Sequence, residues 1–294
     1  MISVYGEGLI DLVPTASAPL ASLQPALGGG PYNVAVAAAR QGADVAFHSR
    51  LSTDTFGQAL VDNLRAEGVS TDLVQRGAEP TTLAVTSINE SHSAHYTFYV
   101  DGTADRLATP TAATAPIACF GTCSLALEPA ASRYAEVLRT LAARGTLIAL
   151  DPNIRDFYAT EQHRDFLRAL LPDVTLLKLS EEEVEFLGGA ERIDVPVMVI
   201  TRGGEGLSVR TPTAQVDVPA VPVTVVDTIG AGDTILASLV TYAERHGWGP
   251  GDLAGLTEEQ WREVLRFAAT AAAITCSRVG AQPPTREEVL AALD

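Results

Sequence analysis

Cysteine is scarce. Cys119, Cys123 and Cys276 are odd in number and lack C-x-x-C spacing, which excludes a disulfide framework and a clustered-thiol zinc site. Basic residues are also in deficit, 20 against 36 acidic ones, and the net charge of −16 sets up a field that repels nucleic acid and anionic lipid. Any anionic ligand must therefore be held by local devices. No stretch reaches the roughly 18 apolar residues that span a bilayer. Met1 to Val13 carries Glu7 and Asp11 without a basic start, so it does not read as a signal peptide and a cytoplasmic protein is expected. The five histidines do not cluster; His92 and His95 are three apart in an extended segment, on opposite faces, and make a poor metal pair. Gly6-Glu7-Gly8-Leu9-Ile10-Asp11 lacks the third glycine of a dinucleotide fingerprint, and neither a nucleophile elbow nor an internal repeat is present.

What is present is a chain that folds throughout, 47% hydrophobic and 19% charged, with no low-complexity segment. Strand patterns at Ile2–Tyr5, Asp44–Ser49, Cys119–Cys123, Leu147–Asp151, Val174–Leu179 and Val197–Thr201 alternate with helical patterns at Asn33–Gln41, Thr55–Glu67, Arg133–Arg144, Thr160–Leu170 and Glu181–Leu187. That is the signature of an α/β fold, a mostly parallel sheet flanked by helices and joined by right-handed crossovers. Leu12 to Gln24 and Thr82 to Val100 break the alternation as an antiparallel excursion. Helices return at Ala231–Arg245, Glu258–Ser277 and Thr285–Leu293, with a turn at Gly247-Trp248-Gly249-Pro250-Gly251.

The run Val226-Asp227-Thr228-Ile229-Gly230-Ala231-Gly232-Asp233-Thr234 carries the chemistry. The β-branched Val221 to Val226 reads as a strand feeding a glycine turn that opens a helix. Unpaired N–H groups of Gly230, Ala231 and Gly232, with the helix dipole, make an anion hole. Asp233 is out of place there, unless it takes the proton of a hydroxyl that attacks the bound phosphate. Read without a family, Asp11 after the first strand serves either as a turn cap or as a sugar acceptor. Asn33 reads either as the N-cap of the helix running to Gln41 alone or as a cap that also contacts the ligand. Glu183 lies in an acidic run that favours a helix start. Arg155, on a loop after a strand, suits phosphate or carboxylate.

The Asp-Thr-x-Gly-Ala-Gly-Asp string resembles the carboxy-terminal signature of the ribokinase-like, or PfkB, sugar kinases. Gly28-Gly29-Gly30-Pro31-Tyr32-Asn33, Asp151-Pro152-Asn153-Ile154-Arg155, Ser180-Glu181-Glu182-Glu183, Thr201-Arg202-Gly203-Gly204-Glu205-Gly206 and Gly280-Ala281 extend the resemblance over nearly the whole chain. It implies one ribokinase-like doubly wound domain over residues 1–294, with a β-sheet lid drawn from residues 10–30 and 82–105 that closes over the sugar and mediates a homodimer. It assigns Asp233 as base and the Gly230, Ala231 and Gly232 backbone as anion hole. Asp11, Gly29, Gly30, Asn33, Tyr99, Glu128 and Arg155 fall to the sugar side. Ser180, Thr201, Gly203, Gly206, Gly230, Gly232 and Gly280 fall to the nucleotide side. Glu183 would influence Mg²⁺ directly or through water. Asp227, Ile229, Thr275, Arg278 and Gly280 would hold a monovalent cation such as K⁺, although Pro284 replaces a serine ligand of ribokinases.

The implied reaction is ATP- and Mg²⁺-dependent phosphorylation of a sugar. The fructokinase branch leads, D-fructose and ATP giving D-fructose 6-phosphate and ADP, because Tyr99 to Leu107 and Gly29 to Asn33 resemble that branch. A 2-keto-3-deoxygluconate kinase is the alternative, against which Asp101 stands in the lid where a second cation would serve. Ribokinase and nucleoside kinase follow, and a catalytically silent sugar- or nucleotide-binding regulator is the reading of another class.

Overall fold

The computed structural model describes residues 1–16, 18, 20–88 and 94–293; His92 and the side chain of His95 lie outside what is described. Its strands are β1 (Ile2–Tyr5), β2 (Leu9–Pro14), β3 (Leu23–Gly28), β4 (Val45–Ser52), β5 (Val74–Gly77), β6 (Leu83–Ile88), β7 (Ala94–Tyr99), β8 (Ile117–Gly121), β9 (Leu147–Asp151), β10 (Leu176–Ser180), β11 (Val197–Thr201), β12 (Leu207–Arg210) and β13 (Gln215–Val218). Its α-helices are α1 (Gly30–Arg40), α2 (Thr55–Ala66), α3 (Ala130–Ala143), α4 (Glu161–Arg168), α5 (Glu181–Phe186), α6 (Ala231–His246), α7 (Pro250–Ala254), α8 (Glu258–Cys276) and α9 (Arg286–Leu293).

Nine strands form one sheet in the order β13-β12-β11-β10-β9-β8-β1-β4-β5. It is parallel from β11 to β5, and β12 and β13 add an antiparallel edge. The reason is legible in β1, β8 and β9, short apolar runs buried along their whole length because helices cover both faces. Ile2, Phe47, Leu64, Leu239 and Trp261 pack on one face of the sheet, and Phe120, Tyr134, Leu138, Leu150 and Leu177 on the other. Each such side chain contributes about 1.5–3 kcal/mol on burial. Asp54 caps α2 through the Gly57 N–H at 2.7 Å, and Thr257 with Gln260 closes a capping box on α8.

The excursions from the alternating pattern form a second, four-stranded sheet in the order β3-β2-β6-β7. Its outer pairs are antiparallel, but the central β2–β6 pair is parallel, because the main-sheet units α1–β4 and α2–β5 are threaded between those strands. Three local expectations change. Val221 to Val226 joins no ladder; Val223, Val225 and Val226 are exposed, and Val226 N donates to Cys276 O at 2.8 Å. α1 begins at Gly30 and is capped by Gly29, so Asn33 lies inside its first turn and is not its N-cap. The glycine-rich turn after α6 contains the short helix α7, opened by Pro250 at its first position.

Candidate active site

Open α/β sheets bind ligands beyond the carboxyl ends of their strands, and the prominent cavities lie there. A cavity of about 300 Å³ is bordered by Glu7, Asp11, Gly29, Gly30, Asn33, Tyr96, Phe98, Asn153, Arg155, Lys178, Gly230, Gly232 and Asp233. A second, of about 570 Å³, is more apolar and is bordered by Thr201, Gly203, Gly206, Val221, Val225, Ala272 and Cys276. Thr228 and Gly232 border both. The glycine turn is thus the partition between two binding spaces.

The turn is built for an anion. Gly230 caps α6 in the left-handed conformation, φ 78°, which a residue with a Cβ adopts only at a cost. Among the described residues no backbone or side-chain acceptor meets the N–H groups of Gly230, Gly232 and Asp233, whereas Ala231 N bonds Thr228 O at 3.3 Å. The expected hole therefore draws chiefly on Gly230 and Gly232, with Asp233 N beside them.

Asp233 is 7% exposed, and its carboxylate accepts a hydrogen bond from Asn33 Nδ2 at 2.8 Å. Burial raises its pKa to about 7; the nearby Asp151 charge adds to that, while Asn33, Lys178 and Arg155 pull it back. A carboxyl poised near neutrality is suited to accept a hydroxyl proton. Asn33 thus holds the Asp233 carboxylate and does not cap the helix. Across the cavity, Asp11 on β2 is raised to about 6 by burial, against the pull of Arg155. Gly28 leaves its carboxylate room, since a Cβ there would overlap Oδ2. Gly29 adopts φ 105° with Glu7 O 2.9 Å from the place of a Cβ, so the chain must be glycine there.

Glu183 does what its helix-start setting implied. Its side chain accepts Ser180 N and Ile154 N, each at 2.7 Å, and Ser180 Oγ caps Glu183 N, so the pair ties the start of α5 to the loop after β9. Arg155 is exposed at the cavity mouth and donates to its own loop carbonyls, Asn153 O and Ile154 O. Thr201, Gly203 and Gly206 form the β11–β12 hairpin turn on the rim of the larger cavity. Asp227 accepts Ile229 N at 3.0 Å and Gly280 N at 2.9 Å, fastening two loops beside the anion hole. Thr275 is fully buried against Thr234, and Arg278 pairs with Glu288.

Two expected sugar residues are not brought in. Tyr99 is 60% exposed, and its strand neighbours Tyr96 and Phe98 border the cavity instead. Glu128 turns to Ser132 on α3. Asp101 pairs with Arg106 outside the cavity and so does not bear on the charge of the ligand. Sequence reasoning missed Glu7, a buried carboxyl raised by burial that accepts the hydroxyls of Thr122 and Ser124. It also missed Asn153 and Thr122, cavity residues held at positive φ, 44° and 59°, where strain commonly marks function. Lys178 was the fourth omission.

A buried carboxylate beside a helix start with open N–H groups, on a turn that borders two cavities, is the arrangement that phosphoryl transfer requires. The chain belongs to the pfkB family carbohydrate kinases, whose model matches residues 1–288, and such enzymes transfer a phosphoryl group to a sugar hydroxyl. It is 31% identical to fructokinase-2 of Solanum habrochaites, covering 100% of this chain and 96% of that one. It is 32% identical to the fructokinase of Solanum tuberosum over 100% of this chain and 95% of the relative. The crystal structure of the Xylella fastidiosa fructokinase with bound ATP superposes with a TM-score of 0.90 at 28% identity, covering 99% and 97% of the two chains.

Proposed function

We propose that the protein is an ATP-dependent fructokinase that converts D-fructose to D-fructose 6-phosphate. The observation that carries this reading is the shared wall of the two cavities at Gly232, with Asp233 on the side of the smaller, polar cavity. Fructose would occupy that cavity, its hydroxyls paired with Asp11 and Asn153 and its 6-hydroxyl facing Asp233. ATP would lie in the apolar groove with its terminal phosphate at the turn. As the hydroxyl oxygen forms its bond to phosphorus, the bond to the ADP oxygen breaks and the hydroxyl proton passes to Asp233. The N–H groups of Gly230 and Gly232 take up charge on the transferred group.

Mg²⁺ would neutralise the nucleotide phosphates. Both Glu183 oxygens already accept N–H bonds, which fits an outer role through metal-bound water. K⁺ would sit beside Asp227 among carbonyls of the two loops that carboxylate fastens, with Ile229, Thr275, Arg278 and Gly280 around it. The small sheet is read as the lid: Phe98 on β7 stacks on Phe157 of the main domain, centroids 4.6 Å apart. Its edge strand β3 exposes Leu23 and would mediate a homodimer. A cytoplasmic setting accords with use of ATP and with three free cysteines. Steady-state kcat/KM with ATP across fructose, ribose, 2-keto-3-deoxygluconate, tagatose, glucose and adenosine tests the reading, and fructose should rank first. A preference for the acid sugar would overturn the choice, and nucleotide binding without phosphorylation of any of them would overturn the kinase.

A further inference from the structure

Lys178 is the single lysine among 294 residues; every other cationic side chain is an arginine or a histidine. It lies inside the apolar strand β10, flanked by the fully buried Leu177 and Leu179, and its side chain is only 6% exposed. What exposure it has faces the smaller cavity, which it borders with Gly230, Gly232 and Asp233. Its Nζ lies 2.9 Å from where a Cβ on Gly232 would be, so the amine sits directly under the anion-hole turn. Asp151, on the adjacent strand β9, holds it at 2.7 Å. Among the described residues the other oxygen of Asp151 has no hydrogen-bond partner, and Lys178 is the donor that satisfies this buried carboxylate.

As a strand tie the pair makes little sense. A buried ion pair is no more stabilising than well-packed apolar residues of the same volume, and the strands on either side already supply such residues. What an apolar pair would lack is a fixed cation at the turn. Burial opposes the lysine charge, yet the neighbouring carboxylates of Asp151, Glu183 and Asp233 outweigh it and leave the amine raised, hence protonated at neutral pH.

We propose that Lys178 is a further catalytic residue of the phosphoryl transfer, donating a hydrogen bond to a non-bridging oxygen of the phosphoryl group in flight, and that Asp151 is its positioning residue. The inference rests on the kinase reading of the site. Lys178 stays protonated throughout; the hydroxyl proton goes to Asp233 and the bonding changes at phosphorus are those given above. In a chain of net charge −16, this places a lysine on the phosphate and leaves Arg155 at the mouth for the sugar.

The test uses Lys178→Met and, because that variant leaves a buried carboxylate unpaired, the double variant Lys178→Met with Asp151→Asn. Both should bind ADP and fructose as the parent does. Each should lose about 10²–10³ in kcat, the cost of removing one such donor, and the same order of affinity for ADP with aluminium fluoride, a mimic of the phosphoryl in flight, in the presence of fructose. A folded double variant that turns over within about threefold of the parent, far short of that cost, overturns the inference. Because there is one lysine, ¹³Cε-lysine labelling of the parent enzyme gives one lysine signal. It should move when aluminium fluoride joins ADP and fructose, and if it stays in place the inference fails even where neither variant folds. A parent that phosphorylates no sugar would instead remove the kinase reading itself.

Discussion

Asp233→Asn separates the charge of the proposed base from its shape. The amide oxygen can still accept the bond from Asn33, so the variant removes the carboxylate charge and little else. In the native chain burial lifts this carboxyl from 3.8 to about 7. Each unit is worth about 1.4 kcal/mol, so holding the carboxylate ionised in the folded state costs up to about 4 kcal/mol. The sign follows from proton counting. Near pH 4 and below, folded and unfolded chains both tend to carry the proton and the cost is absent. Between pH 4 and 7 the folded chain binds more protons, so stability falls as pH rises, and above 7 the whole cost is present. Asp233→Asn should therefore melt several degrees higher than the parent at pH 8 and show only about a quarter of that gain at pH 4.5. Its kcat should fall by about 10²–10⁴ with unchanged ATP affinity. In the parent, kcat/KM for the sugar should rise with pH through a midpoint near 7, the value to which burial raises the carboxyl of Asp233 in the free enzyme. Calorimetry across pH, with a coupled ADP-release assay, measures all three. A thermal gain independent of pH, or an acid limb centred near 4, would refute the assignment of a buried, raised base.

Two further outcomes follow from the site. Asp11→Asn should raise KM for the sugar by about tenfold or more while leaving KM for ATP unchanged, because a hydroxyl partner is lost on the sugar side alone; an unchanged sugar KM would remove Asp11 from the site. Exchange of K⁺ for tetramethylammonium should lower kcat/KM, by loosening the Asp227-fastened loops beside the anion hole, and an unchanged rate would dismiss the cation.

Much of this was legible in the chain, and the failures have physical causes. The parallel strands declared themselves because burial on both faces writes apolar runs of four or five residues, and Asp233 declared itself because an acid opposes the anion hole it follows. Tyr99 was misplaced by one residue: in a strand that shift turns a side chain to the opposite face, and only the register of β7 on β6 shows that Tyr96 and Phe98 border the cavity. Val221 to Val226 has strand composition, but its apolar side chains wall a groove instead of a ladder, and composition does not distinguish the two. Asn33 fits a cap by type, and nothing local reveals that its partner lies on another helix. Lys178 had a signal that could have exposed it: the only lysine of the chain stands inside LLKLS, where a charge has no place unless something holds it.

The bond between Asn33 and Asp233 spans 200 positions of the chain. Closing a contact so distant in sequence carries the entropy of a long loop, and such non-local contacts slow folding. The Asn33–Asp233 pair is therefore assembled from the first and last quarters of the polypeptide. On a ribosome, a nascent chain that has completed its first seven strands holds fewer than half of the residues that border the smaller cavity, and Asp233 is not among them. On the proposed mechanism turnover waits for α6 to dock, and so for synthesis to pass residue 233.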